Sequence, residues 1–120
     1  MSELREYLYC GARLTAPDSF LQAPQAIRDR YCNGMGPAGK GWLVPDTMYC
    51  LNVAEAGRIH DWQYSFPEGR ARKEVDDLFF DNMVAIIDTG ARWLRWLRQR
   101  RAATYYAAVR AGGAKHFAGP

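Results

Sequence analysis

The sequence predicts a mainly α-helical protein that forms one domain over residues 1–120. Two stretches with helical propensity and apolar residues, 52–66 and 68–88, follow each other across a short Pro-Gly turn. That arrangement favours two antiparallel core helices. A glycine-rich segment precedes them and an arginine-rich helix follows them. Of the 120 residues, 48% are hydrophobic, which is enough for one core.

The first third of the chain carries one helix signal and one loop signal. Pro24 is a favourable first residue for a short helix over 23–31. Residues 31–47 hold four of the eleven glycines and two of the six prolines. We expect a loop there, because so many glycines resist both helix and strand.

The last two helices have clearer boundaries. Residues 68–88 have apolar side chains at spacings of three and four, and Thr89-Gly90 should end that helix. A final helix is predicted over 91–111, because the glycines at 112 and 113 can end it.

Charge and cysteine content narrow the class of protein. The net charge of +3 permits contact with phosphate surfaces without requiring it. Cys10, Cys32 and Cys50 cannot all pair within one chain, which disfavours a disulfide-stapled secreted domain, so we expect small buried thiols. The sequence shows no secretory signal and no membrane-spanning run, so synthesis in the cytoplasm is expected. Later release from the cell or association with a phage stays open.

A histidine and an aspartate carry the strongest chemical signal. The chain has two histidines, which disfavours a zinc site built on several imidazoles. On a helical wheel of 68–88, Asp76 falls inside the apolar arc, and a carboxylate there is costly unless a partner satisfies it. Antiparallel helices would bring Asp76 opposite His60. That pairing is what a general base needs, although a buried hydrogen bond without catalysis would have the same pattern.

Several motifs in order along the chain resemble the phospholipase A2 core of small bacterial and prophage-encoded proteins. They are NGMGP (33–37), LVPDT (43–47), AGRIHDWQY (56–64) and VDDLFFDNM (75–83). The C-terminal RRAATYYAAVRAGG also resembles the tail of that group. The similarity covers about two thirds of the chain, and the order of the motifs is more specific than any one of them.

The resemblance implies roles for individual residues in a calcium-dependent hydrolysis of the sn-2 ester of phospholipids. His60 matches the catalytic base, Asp76 the aspartate that orients it, and Tyr64 the tyrosine of the same network. Asp61 matches a carboxylate ligand of calcium, and the N–H of Gly36 would assist at the oxyanion. The other calcium ligands would be backbone carbonyls of the loop, those of Gly34, Gly36 and Ala38.

The chain departs from that family at one pair of positions. Met35 and Gly57 stand where the family has two cysteines joined in a disulfide. Their joint loss fits a reducing compartment. It also leaves open a second function, in which the chain is a catalytically inactive relative that serves as a phage or prophage structural or interaction protein.

The arginine-rich helix offers a candidate surface for a membrane or a partner. Within 91–101, Trp93 and Trp96 lie with two leucines on one side. The arginines of the other side are Arg92, Arg95 and Arg98. Such a helix suits a membrane interface, whereas nucleic-acid binding is disfavoured. A tryptophan and leucine stripe that completes the domain core is a third interpretation.

Overall fold

The computed structural model describes residues 2–32, the backbone of 47–48, and residues 51–119. Over these residues the protein is mainly helical, with two small antiparallel sheets of two strands each. The strands are β1 (Leu4–Tyr9), β2 (Ala12–Pro17), β3 (Thr47–Met48) and β4 (Leu51–Asn52). The helices are α1 (Asp18–Gln22), α2 (Gln25–Tyr31), α3 (Ala54–Ser65), α4 (Arg72–Ile87) and α5 (Arg95–Gly112).

The predicted central helices are present as α3 and α4, and α4 begins later than the sequence suggested. Glu68 and Gly69 have φ values of 55° and 84°, which a helix cannot contain, so the helix begins at Arg72 rather than at residue 68. The two helices run antiparallel. Tyr64, late in α3, contacts Asp76 near the start of α4, whereas His60 one turn earlier also reaches Phe79.

The N-terminal hairpin was not predicted from the sequence. Cys10 and Gly11 have φ values of 50° and 85°, and such a two-residue turn suits the twist of paired strands. In β2, Ala12, Leu14 and Ala16 are buried while Arg13 between them is exposed. This alternation was a usable strand signal.

The side chain of Asn82 joins α4 to β2 by two hydrogen bonds. Its side-chain amide donates to the carbonyl of Thr15 and accepts from the Thr15 N–H, both at 2.9 Å. Since Asn82 is buried, the pair satisfies a polar group that would otherwise destabilise the core. Buried apolar residues from β2, α3, α4 and α5 form one continuous core around this contact.

The C-terminal helix begins later than predicted, and a 3₁₀ turn precedes it. A 3₁₀ turn covers Arg92–Leu94, and α5 begins only at Arg95. The Tyr106 hydroxyl, late in α5, donates to Asp77, early in α4, at 2.6 Å. These two parts of the helices therefore lie side by side. Helix α5 is therefore antiparallel to α4, and its C-terminal end comes close to Asp76.

Candidate active site

His60 and Asp76 are paired in the interior between α3 and α4. The His60 Nε2 lies 2.8 Å from the Asp76 Oδ1. His60 is 7% exposed and Asp76 is fully buried, which confirms the prediction that this aspartate faces the core opposite the histidine. Asp76 lies in the second turn of α4, and His60 lies in the middle of α3.

Tyr64 and Phe79 restrain the imidazole. The Tyr64 hydroxyl donates to the same Asp76 Oδ1 at 2.7 Å, in the shared network that the resemblance implied. The ring centroids of Tyr64 and Phe79 lie 4.2 Å and 4.6 Å from that of His60. Packing between these rings and one hydrogen bond to the carboxylate fix the position of the imidazole.

Two arginines that were not predicted from the sequence contact the other carboxylate oxygen of Asp76, Oδ2. Arg110 donates to the Asp76 Oδ2 at 2.9 Å, and the Nη1 of Arg72 lies 3.5 Å from it. Arg72 also donates to the carbonyls of Val109 and Arg110 in the last turn of α5. The start of α4 and the end of α5 are thus joined around one buried carboxylate.

The contacts set the charge states of the site. Burial alone would raise the pKa of Asp76, but the hydrogen bonds from His60, Tyr64 and Arg110 hold it below its ordinary value. Burial lowers the pKa of His60 more than Asp76 raises it. Burial, together with the bond to Asp76, raises the pKa of the Tyr64 hydroxyl. Near neutral pH the site therefore contains a carboxylate, a neutral imidazole and a protonated tyrosine.

These charge states select one tautomer of His60. A carboxylate only accepts hydrogen bonds, so Nε2 carries the proton that it donates to Asp76. The lone pair of the ring is then on Nδ1. The arrangement can take a proton at Nδ1 while Asp76 stabilises the resulting imidazolium.

Gly113 allows the close approach of Tyr64. A Cβ at this position would lie 2.5 Å from the Tyr64 hydroxyl oxygen and 2.5 Å from the Val109 carbonyl oxygen. The chain beyond it packs on the same tyrosine. Phe117 makes an edge contact at 5.1 Å between ring centroids, and the Ala118 N–H donates to the Tyr64 carbonyl at 2.9 Å.

Asp61 is half-buried, and its charge acts on Cys32, the last described residue before the predicted calcium ligands. Burial raises the pKa of the Cys32 thiol to about 12, and the Asp61 carboxylate adds to that rise. Cys32 is buried as expected, whereas Cys10, in the hairpin turn, is exposed, so the expectation of burial was wrong there. Cys50 lies outside the described residues.

A calcium ion at Asp61 would need further oxygen ligands beside that carboxylate. No group of three His, Cys, Asp or Glu side chains could hold a metal ion within 2–32 and 51–119. The Asp61 carboxylate fits calcium as one hard oxygen ligand, and a set completed by backbone carbonyls is consistent with that chemistry. The predicted carbonyl ligands of Gly34, Gly36 and Ala38, and the predicted oxyanion N–H of Gly36, lie outside the described residues.

Four of the five residues of the predicted membrane or partner surface are exposed. Arg92, Trp93, Arg95 and Trp96 are exposed, so the tryptophans do not complete the core. Arg98 was placed there wrongly. It is 5% exposed, and a Cβ on Gly90 would come within 2.5 Å of its Nη1. Its long side chain packs against the chain that connects α4 to α5.

Comparison with known proteins found no relative of this chain. No protein-family model, curated protein or solved structure matches the chain. In the part of the chain that the structure describes, every helix is too short or too polar to cross a membrane.

Proposed function

We propose that this protein is a calcium-dependent hydrolase that cleaves the sn-2 ester of phospholipids with water activated by His60. The observation that carries the proposal is the buried hydrogen bond of 2.8 Å between His60 and Asp76. An ionised carboxylate behind a neutral imidazole is the arrangement that general-base catalysis requires.

The reaction uses both nitrogen atoms of the His60 ring. Nδ1 takes a proton from water as the water oxygen bonds to the ester carbonyl carbon. Collapse of the tetrahedral intermediate breaks the bond between that carbon and the glycerol oxygen. The imidazolium then returns its proton to the departing oxygen, which yields a free fatty acid and a lysophospholipid. Asp76 stabilises the imidazolium between these two transfers.

Tyr64, Arg72 and Arg110 act in this proposal as positioning residues. They bind both oxygens of Asp76, so the carboxylate stays charged and cannot rotate away from the imidazole. A misplaced base lowers the rate steeply, because proton transfer depends on distance and alignment.

Calcium completes the proposed site. Asp61 would bind the ion together with the carbonyls of the predicted loop, those of Gly34, Gly36 and Ala38. When bound, the ion supplies polarisation of the ester carbonyl and stabilisation of the oxyanion. The N–H of Gly36 would assist at the same oxygen.

The choice of a phospholipid as substrate rests on the order of the sequence motifs. The glycine loop, the Leu-Val-Pro-Asp stretch, the His60-Asp61 pair and the aspartate of α4 follow the order of the phospholipase A2 core. The paired geometry of His60, Tyr64 and Asp76 supports carrying those roles to this chain.

The direct test is release of fatty acid from phospholipids that carry a label in the sn-2 chain. We expect release with calcium and none with chelator. His60→Gln and Asp61→Asn should abolish it, whereas His116→Gln, at the exposed second histidine, should retain it. A folded wild-type protein that releases no fatty acid from any phospholipid class, with calcium present, would contradict the proposal.

A second candidate function is that of an inactive relative that serves in a phage or prophage as a structural or interaction protein. The packing of His60 between the rings of Tyr64 and Phe79 favours it, because a purely structural histidine would be held in the same way. Calorimetry with millimolar calcium separates the two functions. Absence of binding favours the inactive relative, and binding that Asp61→Asn removes favours the hydrolase.

A further inference from the structure

Positive charge is concentrated in the C-terminal quarter of the chain. Residues 89–120 contain six arginines, one lysine and no acidic residue. Since the whole chain has a net charge of +3, residues 1–88 have a net charge of −4. The two parts of the chain therefore differ strongly in the ligands that their electrostatic potentials attract.

Two tryptophans project from this basic region. Trp93 is 76% exposed and Trp96 is 57% exposed. They are three residues apart, across the junction between the 3₁₀ turn and α5, and Leu94 and Leu97 beside them are half-buried. The buried face of α5 consists of other residues, namely Arg98, Ala102, Tyr105 and Val109. Among the described residues, the indoles therefore belong to an exposed surface and not to the core.

Arginines surround these indoles. Arg92 and Arg95 are exposed, and the Cζ of Arg100 lies 5.7 Å from the centre of the Trp96 ring. Arg95 pairs with Asp88 at 3.1 Å, with about half of each side chain exposed. Such exposed pairs are weak, so a phosphate can replace the carboxylate at little cost.

We propose that Trp93 and Trp96, with Arg92, Arg95 and Arg100, form a docking surface for a bilayer of anionic phospholipids. We call these five residues the docking surface. Indoles prefer the depth of the lipid headgroups, and guanidinium groups bind the phosphates above them. The adjacent leucines favour acyl chains over nucleic-acid bases, because bases stack on flat rings and gain little from aliphatic side chains.

The docking surface lies far from the His60 site. Arg110, which contacts Asp76, is fourteen residues beyond Trp96 on the same helix. At 1.5 Å per residue that places them roughly 20 Å apart along the axis of α5. The surface is therefore an anchor separate from the catalytic residues. The inference holds whether or not the His60 site hydrolyses lipid.

The test is co-sedimentation with vesicles of ether-linked lipids, which have no ester to hydrolyse. We expect binding to vesicles of phosphatidylglycerol and phosphatidylcholine, and much weaker binding to phosphatidylcholine alone. Trp93→Ala with Trp96→Ala should reduce binding to the anionic vesicles at least about tenfold. Arg92→Gln and Arg95→Gln should each reduce it roughly fivefold.

Two matched control variants distinguish binding through the docking surface from nonspecific adsorption to vesicles. Leu8→Ala removes another exposed apolar side chain, 72% exposed on β1, and Arg13→Gln removes an exposed charge on β2. Both variants should bind as the wild type does. Equal losses in the controls and the docking-surface variants would overturn the inference.

A single-stranded oligonucleotide is the remaining probe. Binding of the oligonucleotide without binding to anionic vesicles would overturn the inference in favour of a nucleic-acid partner. Folded wild-type protein that binds neither ligand at low salt would also overturn it. Wild-type binding to the vesicles, with loss in the tryptophan variant, supports it even if His60→Gln and the wild type prove equally inactive as hydrolases.

Discussion

Arg110 donates a hydrogen bond of 2.9 Å to the Oδ2 of Asp76, the oxygen opposite the one that His60 and Tyr64 share. The bond spans 34 residues of sequence and connects the end of α5 to the beginning of α4. The C-terminal helix therefore contributes directly to the charge and the orientation of the candidate catalytic pair.

Replacement of Arg110 by Gln should weaken both stability and turnover. A charge-assisted hydrogen bond to a partly exposed arginine is worth about 1 kcal/mol, so the free energy of unfolding should fall by that amount. We expect kcat to fall several-fold while KM for lipid changes little, because Arg110 acts through Asp76.

The controls for this prediction are Arg110→Lys and Arg92→Gln. Lysine retains the charge and should restore part of the rate. Arg92 is exposed and distant from Asp76, so its replacement should leave turnover of a soluble short-chain ester unchanged. An Arg110→Gln variant as active on that ester as Arg92→Gln would show that the arginine does not position the site.

Asp76→Asn should be the most destabilising polar substitution in the site. It keeps the volume but removes the charge that the bonds from Arg72 and Arg110 stabilise, which costs about 1.5–3 kcal/mol. Asp77→Asn is the matched control, because the neighbouring Asp77 makes surface contacts with Lys73 and Tyr106. Urea unfolding should show a much larger loss for Asp76→Asn, and equal losses would argue against a buried ionic centre.

The glycine pair at the end of α5 offers a steric test. Gly113→Ala would place a methyl group against the Tyr64 hydroxyl and should cost about 1–3 kcal/mol. Gly112→Ala meets no atom within 4 Å and should be neutral or slightly stabilising. Thermal unfolding of the two variants measures the difference. Similar melting temperatures would mean that the position of Tyr64 does not depend on Gly113.

Stability should fall as the pH drops below about 6.5. Burial lowers the pKa of folded His60 beneath that ordinary value, so the unfolded chain binds the proton more readily in this range. Stability from this source is complete above pH 6.5 and is lost toward the lower pKa of the folded state. Urea midpoints between pH 7.5 and 5 should show the decline in the wild type and in His116→Gln. His60→Gln should flatten it, and an unchanged slope in His60→Gln would assign the decline to other groups.

The pairing of His60 and Asp76 was predictable from local periodicity. A single carboxylate in the apolar arc of α4 required a partner, and antiparallel packing across a short turn restricted the choice to α3. Arg72 was also within reach of this reasoning, since it precedes Asp76 by four residues on the same helix. Arg110 was not, because nothing local indicates which residue of α4 the end of α5 will contact.

The error at Arg98 has a physical cause. The prediction assumed one continuous helix over 91–111, with Arg92, Arg95 and Arg98 together on its polar side. The 3₁₀ turn at Arg92–Leu94 changes the direction in which the following side chains point, and the inward face of α5 consists of Arg98, Ala102, Tyr105 and Val109. Arg98 lies on that face with 5% of its surface exposed, and its Nη1 lies beside Gly90. The spacing of the arginines in the sequence therefore did not show that Arg98 lies on the buried side of this helix.

The most direct test of the central claim is nitrogen-15 NMR of the two histidine rings near neutral pH. The chain has only His60 and His116, so His116→Gln leaves one ring to observe. We predict that His60 is protonated at Nε2 and unprotonated at Nδ1. Asp76→Asn should alter the nitrogen-15 spectrum of this ring. A ring protonated at Nδ1, or a spectrum that Asp76→Asn leaves unchanged, would contradict the claim that Asp76 orients His60 as a base.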